Sequence, residues 1–213
     1  MVHYASYYRW LVTSRHLNID PQGSSALDVG CDDGFFLSQT SLPIKVGVDL
    51  EPHVQALTPY PVLRANGSYL PFPDQSFDNV FAFDVIEHTE DDDAFLQSLI
   101  RVLAKGGQLW LSTPTSGAKM LPGFLTDKAE LVWRHVRRGY SAKDIRDKLP
   151  LVAKASFIYW NAPFFRSLYV PLKLISMVSP GLARVGAQVC AWLDSKFPKG
   201  ASGQLFVTVA RDM

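Results

Sequence analysis

The sequence predicts an α/β fold built on a doubly wound, mostly parallel sheet of about seven strands, with helices on both faces. Three observations carry this. Short apolar runs alternate with helical stretches and short links from residue 24 to 113. The runs "ALDVG" and "IKVGVDL" each carry an acid at or near the end, where such sheets bind ligands. The stretch "SFDNVFAFDVIEH" is apolar without alternation, as expected of a strand covered on both faces.

Taken in order, residues 3 to 17 place Tyr4, Tyr7, Tyr8, Leu11 and Val12 at helical intervals, predicting an N-terminal helix within residues 1–20. "SSALDVG" reads as the first strand, "FFLSQTS" as the start of a helix, "IKVGVDL" as the second strand and "PVLRAN" as the third. The fourth is "SFDNVFAFDVIEH". The next helix, "TEDDDAFLQSLIRVLAKGG", opens on acids that suit a helix N-terminus. It sets Phe95, Leu99, Ile100 and Leu103 on one face and is expected to end at Lys105 and Gly106. "QLWLSTP" follows as a strand. Residues 114–140 are irregular or helical and rich in bases, and "SAKD" is a capping box for a short helix through Leu149. "LVAKASFIYW" and "GQLFVTVAR" are the last strands, separated by the long segment 162–200.

Bulk properties set the class. The 213 residues suit one domain, with 114–140 and 162–200 as insertions. Hydrophobic residues make up 47% and charged residues 19%, the balance of a packed globular chain. A net charge of +1 gives no global attraction for nucleic acid, and no nucleic-acid partner is expected. Cys31 and Cys190 stand far apart without metal-ligand spacing, so no metal site is expected. The start lacks a signal-peptide pattern, and no uncharged apolar run reaches the roughly 18 residues of a spanning helix. The expected location is cytoplasmic.

The turn "DVGCDDGFF" raises the question of ligand. A glycine turn between strand and helix is expected to offer unpaired backbone N–H groups and a positive dipole end. The dinucleotide fingerprint fails, because Phe35 stands where its third glycine would be, and no P-loop lysine follows. Asp28 precedes the turn, and Asp49 ends the next strand 21 positions later, where an acid accepts from ribose hydroxyls. A ligand with a ribose and an ammonium group, but no phosphates, satisfies both acids.

The segments "LDVGCDDGFFL", "VGVDLE", "LPFPDQSFDNVFAFDVIEH" and "LAKGGQLWLSTP" resemble, in order and spacing, the motifs of class I S-adenosylmethionine-dependent methyltransferases. They most resemble the small-molecule group that includes quinone-biosynthesis enzymes. The resemblance covers residues 24 to 114 and implies an antiparallel last strand. It implies that S-adenosylmethionine is the cofactor and S-adenosylhomocysteine the product. It also implies that the turn, with Asp28, Gly30, Cys31, Asp32 and Gly34, cradles the methionine part. Asp49 is implied to bind the ribose, and Leu50 to lie against the adenine. Asn66, beside Gly67, stands where the family has aspartate near the adenine amino group, and Phe83 and Asp84 should floor the pocket. Asp32 replaces the family's glycine, and aspartate tolerates the positive φ such a turn needs.

For the chemistry, His88 and His135 are the candidate bases, histidine being suited to accept a proton near neutral pH. Arg134, Arg137, Arg138 and Tyr140, from the basic run "WRHVRRGY", are candidates to hold an anionic group of the acceptor. The segment 162–200 is apolar, aromatic, interrupted by prolines and mainly basic. It suits amphipathic helices that wall a greasy pocket or touch a membrane surface, or a helical pair packed on the sheet or a partner. Together these features point to a small or lipid-linked acceptor, methylated at oxygen by in-line transfer. Asp32 and Asn66 also leave open a non-catalytic partner with the same fold.

Overall fold

In a computed structural model, which describes residues 3–19, 25–51, 58–118, 135–150, 153–197 and 203–211, seven strands form a single sheet. They are β1 (Ser25–Val29), β2 (Ile44–Asp49), β3 (Val62–Arg64), β4 (Phe77–Phe83), β5 (Leu103–Pro114), β6 (Lys154–Trp160) and β7 (Gln204–Ala210). Their order is β3-β2-β1-β4-β5-β7-β6, and only β7 runs antiparallel to its neighbours. The helices are α1 (Tyr4–Thr13), α2 (Phe35–Ser38), α3 (Asp92–Val102), α4 (Ala142–Lys148), α5 (Pro163–Val178) and α6 (Pro180–Asp194). The expected architecture is thus present, antiparallel last strand included.

Both faces of the sheet are covered, which is why β4 is apolar throughout. Val80 and Ala82 pack with Leu109 and Leu111 of β5 against Phe95, Leu96 and Leu99 of α3. Phe81 and Phe83 point the other way and join Phe36, Trp110 and Phe206, with Trp10 of α1 alongside. Phe81 and Trp110 stack with ring centroids 5.0 Å apart. Each such buried aromatic contributes about 1.5–3 kcal/mol through area removed from water.

Two boundaries depart from the sequence reading. α3 begins as expected, Asp91 accepting from the Ala94 N–H at 2.9 Å, but stops at Val102 instead of running to Gly106. Leu103 is fully buried and already pairs with Phe77, and the register shifts before Asn79 meets Gln108. Gly106, at φ 75°, makes its left-handed turn inside that irregularity. A Cβ at Gly107 would lie 2.8 Å from the Asp78 carbonyl oxygen, so the two strands can approach only over glycine. Similarly, β4 ends at Phe83: Asp84 takes φ 54°, and Ile86–His88 form a 3-10 turn. The capping box is present, with Ser141 and Asp144 exchanging hydrogen bonds at the start of α4.

A third cluster ties the insertion to the N-terminal helix. Tyr4, Tyr8 and Val12 of α1 pack against Leu172 of α5 and Ala183, Ala187, Cys190 and Ala191 of α6. At its centre Asp194, 2% exposed, accepts from the Tyr8 hydroxyl at 2.7 Å and from the Phe164 and Phe165 N–H groups at 2.9 and 3.2 Å. One carboxylate therefore caps α5, ends α6 and holds α1. Replacing Asp194 with Ala is expected to cost about 3 kcal/mol, because one buried and two partly buried donors lose their acceptor. Urea unfolding should show a lowered midpoint with little change in slope, and Asp194→Asn should recover part of the loss.

Candidate active site

The turn after β1 is built from three left-handed residues, Gly30 (φ 76°), Asp32 (φ 41°) and Gly34 (φ 66°). Four of its amides, those of Gly30, Cys31, Asp32 and Gly34, are already bonded within the protein, which corrects the expectation of unpaired N–H groups at those positions. Gly30 and Cys31 donate to the Val48 carbonyl at 2.7 and 3.1 Å, and Gly34 donates to Cys31 at 2.7 Å. Asp32 donates to Asp49 Oδ2 at 2.9 Å. The Gly30, Cys31 and Asp32 donors lash the turn to β2, so side chains carry much of what remains for ligand recognition. Asp49 also accepts from the Glu51 N–H through Oδ1 at 2.9 Å, leaving each carboxylate oxygen a second lone pair for a ribose hydroxyl. Leu50, beside it, is exposed.

Asp28 is buried, and burial pushes its carboxyl up to about 7; Arg9 opposes this, whereas Asp49 and Asp33 reinforce it. It lines a cleft of about 50 Å³ with Ser6, Arg9, Cys31, Phe36 and Phe83. Cys31 is buried and its thiol is pushed well up by burial, so it is a packing group here. Asn66 is exposed and uses Oδ1 to accept from the Ser68 N–H at 2.9 Å, capping a 3-10 turn. Gly67 is required by packing, since a Cβ there would lie 2.6 Å from Phe95 and 2.8 Å from Val29.

A larger cavity of about 380 Å³ adjoins this cleft and shares Ser6, Arg9 and Asp32 with it. Tyr8, Val12, Ile158, Trp160, Phe165 and Phe206 supply apolar wall. Asp84, Glu87, His88, His135 and Arg138 are among its ionisable lining, together with His3, His16 and Arg166. Asp84 pairs with Arg9 at 2.7 Å and accepts from the Ser112 hydroxyl at 2.8 Å. Glu87 is fully buried; Oε2 accepts from Thr113 at 3.1 Å and Oε1 has no partner among the described residues. Burial, then the Asp84 charge, push this carboxyl upward, which favours its protonated form. The His88 and His135 rings meet edge to face with centroids 4.7 Å apart. Glu87, His88 and His135 offer ligand atoms all within 4.8 Å of one another, close enough to hold one cation between them. Burial and His88 hold His135 below its usual range, although Asp84 opposes them.

Not every expected residue reaches the cavity. Arg138 lines it, and Arg134 lies outside the described residues. Arg137 donates to the Thr89 and Glu90 carbonyls at 2.9 and 3.2 Å and sits 3.6 Å from Asp92, so it braces a loop. Tyr140 is buried in the core and donates to Asp92 at 2.9 Å, away from the cavity. Its neighbour Gly139 packs on the Pro114 carbonyl, which turns Tyr140 inward. Sequence reasoning missed Arg9, a lone cation among the aromatics of α1, and Ser6 one turn before it. Their spacing was visible, but only the fold lays α1 over the sheet edge.

A family profile described as "Methyltransferase domain" matches residues 27–111, the stretch that builds this edge. Residues 27–111 are thus similar to a methyltransferase domain, and S-adenosylmethionine-dependent methyltransferases are among the relatives that share this stretch. A probable S-adenosylmethionine-dependent methyltransferase of Mycolicibacterium smegmatis is 35% identical over 100 residues, covering 43% of this chain and 38% of that protein. A tRNA U34 carboxymethyltransferase of Campylobacter curvus is 29% identical over 121 residues, or 51% and 40% of the two chains. The chain thus spans well under half the length of these curated relatives. Among solved structures, a possible histamine N-methyltransferase of Thermotoga maritima shares the fold, with a TM-score of 0.65 at 16% identity over 99% of this chain and 90% of that one.

The methyltransferase cofactor fits the donor set. A buried acid poised near neutrality at Asp28 suits an ammonium group, Arg9 in the same cleft suits a carboxylate, and Asp49 suits a ribose. From this follows a pH dependence. Asp28 is ionised only above about pH 7, and a cationic ligand beside it binds better to the ionised form. S-adenosylmethionine affinity, read by calorimetry, should therefore tighten about tenfold between pH 6 and pH 8. Asp28→Asn should weaken binding and flatten that profile.

Proposed function

We propose that the chain transfers the methyl group of S-adenosylmethionine to an amphiphilic small or lipid-like acceptor, at an oxygen. The observation that carries this reading is the larger cavity: it meets the cofactor cleft at Ser6, Arg9 and Asp32, is walled by aromatic and aliphatic groups, and brings Glu87, His88 and His135 together in its lining. An acceptor with an apolar body and a hydroxyl-bearing head suits that mixed lining.

The bound cofactor would supply an electrophilic methyl carbon. The apolar wall excludes water and holds the acceptor body, which orients its oxygen for in-line attack; positioning of this kind is worth up to about 7–11 kcal/mol. With that methyl carbon passed to the acceptor oxygen and its bond to sulfur broken, S-adenosylhomocysteine would be the leaving product, and the His88–His135 pair would take the hydroxyl proton. His135, held below its usual range, is neutral and able to accept it at pH 7. Arg138 would face an anionic group on the acceptor head.

The test is transfer of tritium from methyl-labelled S-adenosylmethionine to alkylphenols and long-chain hydroxy compounds, with bulk tRNA in parallel. Label in the amphiphiles supports the proposal, whereas label in tRNA alone overturns it. With a turned-over acceptor, His88→Ala/His135→Ala should lower kcat by about 100-fold while leaving cofactor affinity unchanged. In the parent enzyme, kcat should rise with pH and level off below pH 7, because the base acts when unprotonated and its range is shifted downward.

A further inference from the structure

The α5–α6 hairpin is inside out for a surface exposed to water. Of the fourteen large hydrophobic side chains exposed among the described residues, ten lie on residues 163–197. The inner stripe of α6 consists of small groups, Ala183, Ala187, Cys190 and Ala191, buried on α1 and α5. Its outer stripe, Leu182, Val185, Val189 and Trp192, is large, apolar and exposed. On α5 the outward residues include Leu174, Met177 and Val178, the last two 78% and 88% exposed where the hairpin turns. A helix apolar on both faces needs a non-aqueous environment on each.

The charges indicate which environment. Residues 163–197 carry Arg166, Lys173, Arg184 and Lys196, and a single acid, Asp194, which is buried and committed to Tyr8 and the first amides of α5. Lys173 and Lys196 are exposed beside the apolar stripes, and the Lys196 ammonium lies 5.6 Å from the Trp192 ring centre. A second copy docked here would set cation against cation with no acid between them. An anionic bilayer answers both features: headgroup charge for the lysines, and acyl chains for Met177, Val178 and the outer stripe. Helices of 16 and 15 residues are about 23 Å long, short of the roughly 30 Å of a hydrocarbon core, and no described helix is long and apolar enough to cross.

We propose that the outer face of the α5–α6 hairpin seats on an anionic membrane surface, the hairpin turn dipping into the acyl boundary. Phe165 and Tyr169, on the first turns of α5, line the larger cavity, so this docking would set the cavity close to the lipid. The docking itself does not depend on the acceptor reading.

The experiment is co-sedimentation of the full chain with phosphatidylcholine vesicles and with vesicles containing 30% phosphatidylglycerol. Binding to the anionic vesicles, weakened by 0.5 M salt, is expected. Lys173→Gln/Lys196→Gln should weaken it by about 30-fold, and Met177→Glu/Val178→Glu should abolish it. Unchanged circular dichroism and S-adenosylmethionine affinity would show that the variants remain folded. Absence of binding to anionic vesicles, or equal binding by Met177→Glu/Val178→Glu, overturns the proposal. So does a wild-type dimer, seen in sedimentation velocity, that this variant disperses without any vesicle binding. Loss of methyl transfer with vesicle binding intact would count against the acceptor reading alone.

Discussion

How closely the turn after β1 approaches the turn after β4 governs the whole ligand-binding edge. A Cβ on Gly30 would fall inside the volume of the Val85 side chain, so the two chain reversals can nest only over glycine. Left-handed backbone recurs along this edge at Gly30, Asp32, Gly34 and Asp84, and a Cβ on Gly34 would meet Thr58 and Tyr60. Two strands that must turn away at one edge cannot both leave gradually. Asp84 bears this conformation without being glycine, and its side chain is secured by Arg9 and Ser112. Aspartate is among the few residues for which that conformation costs little.

Over this edge lies α1, and its placement divides the space beneath. Arg9 reaches between the acids, with Asp28 on the cofactor side and Asp84 on the side of the larger cavity. Glu87 completes the set beneath, fully buried and with one oxygen unpartnered. Three acids around one arginine cannot all ionise cheaply in a low dielectric. Burial raises the proton affinity of Asp28 and Glu87, the Asp84 charge adding to it at Glu87, while Asp84 keeps the ion pair with Arg9. A region of this kind responds to an incoming cation by releasing protons, so ligand binding and proton balance are linked there.

The α5–α6 hairpin serves two surfaces through one packing choice. Small side chains inward let α6 lie close on α1 and α5, and Asp194 locks the three helices together. The large apolar groups are left on the outside. The wall of the larger cavity and the exposed apolar face thus share a support, since Phe165 and Tyr169 on α5 belong to the cavity and Met177 and Val178 to its far turn.

Local pattern alone determined the sheet, most strand positions, the capping box at Ser141 and the acids at 28 and 49, because strand burial, cap chemistry and turn glycine all act within a few residues. It also made legible the conformation of Asp32, whose side chain tolerates positive φ. Tertiary contact decided the rest. α3 ends early because Leu103 is more favourably buried in the sheet, and Tyr140 leaves the site for a buried bond to Asp92. Arg137 is used up by loop carbonyls, and Arg9 becomes a site residue through the folding of α1 over the sheet edge, which pairs it with Asp84, 75 positions away. Such outcomes depend on which side chain a distant segment brings within hydrogen-bond reach, and no spacing along the chain encodes that.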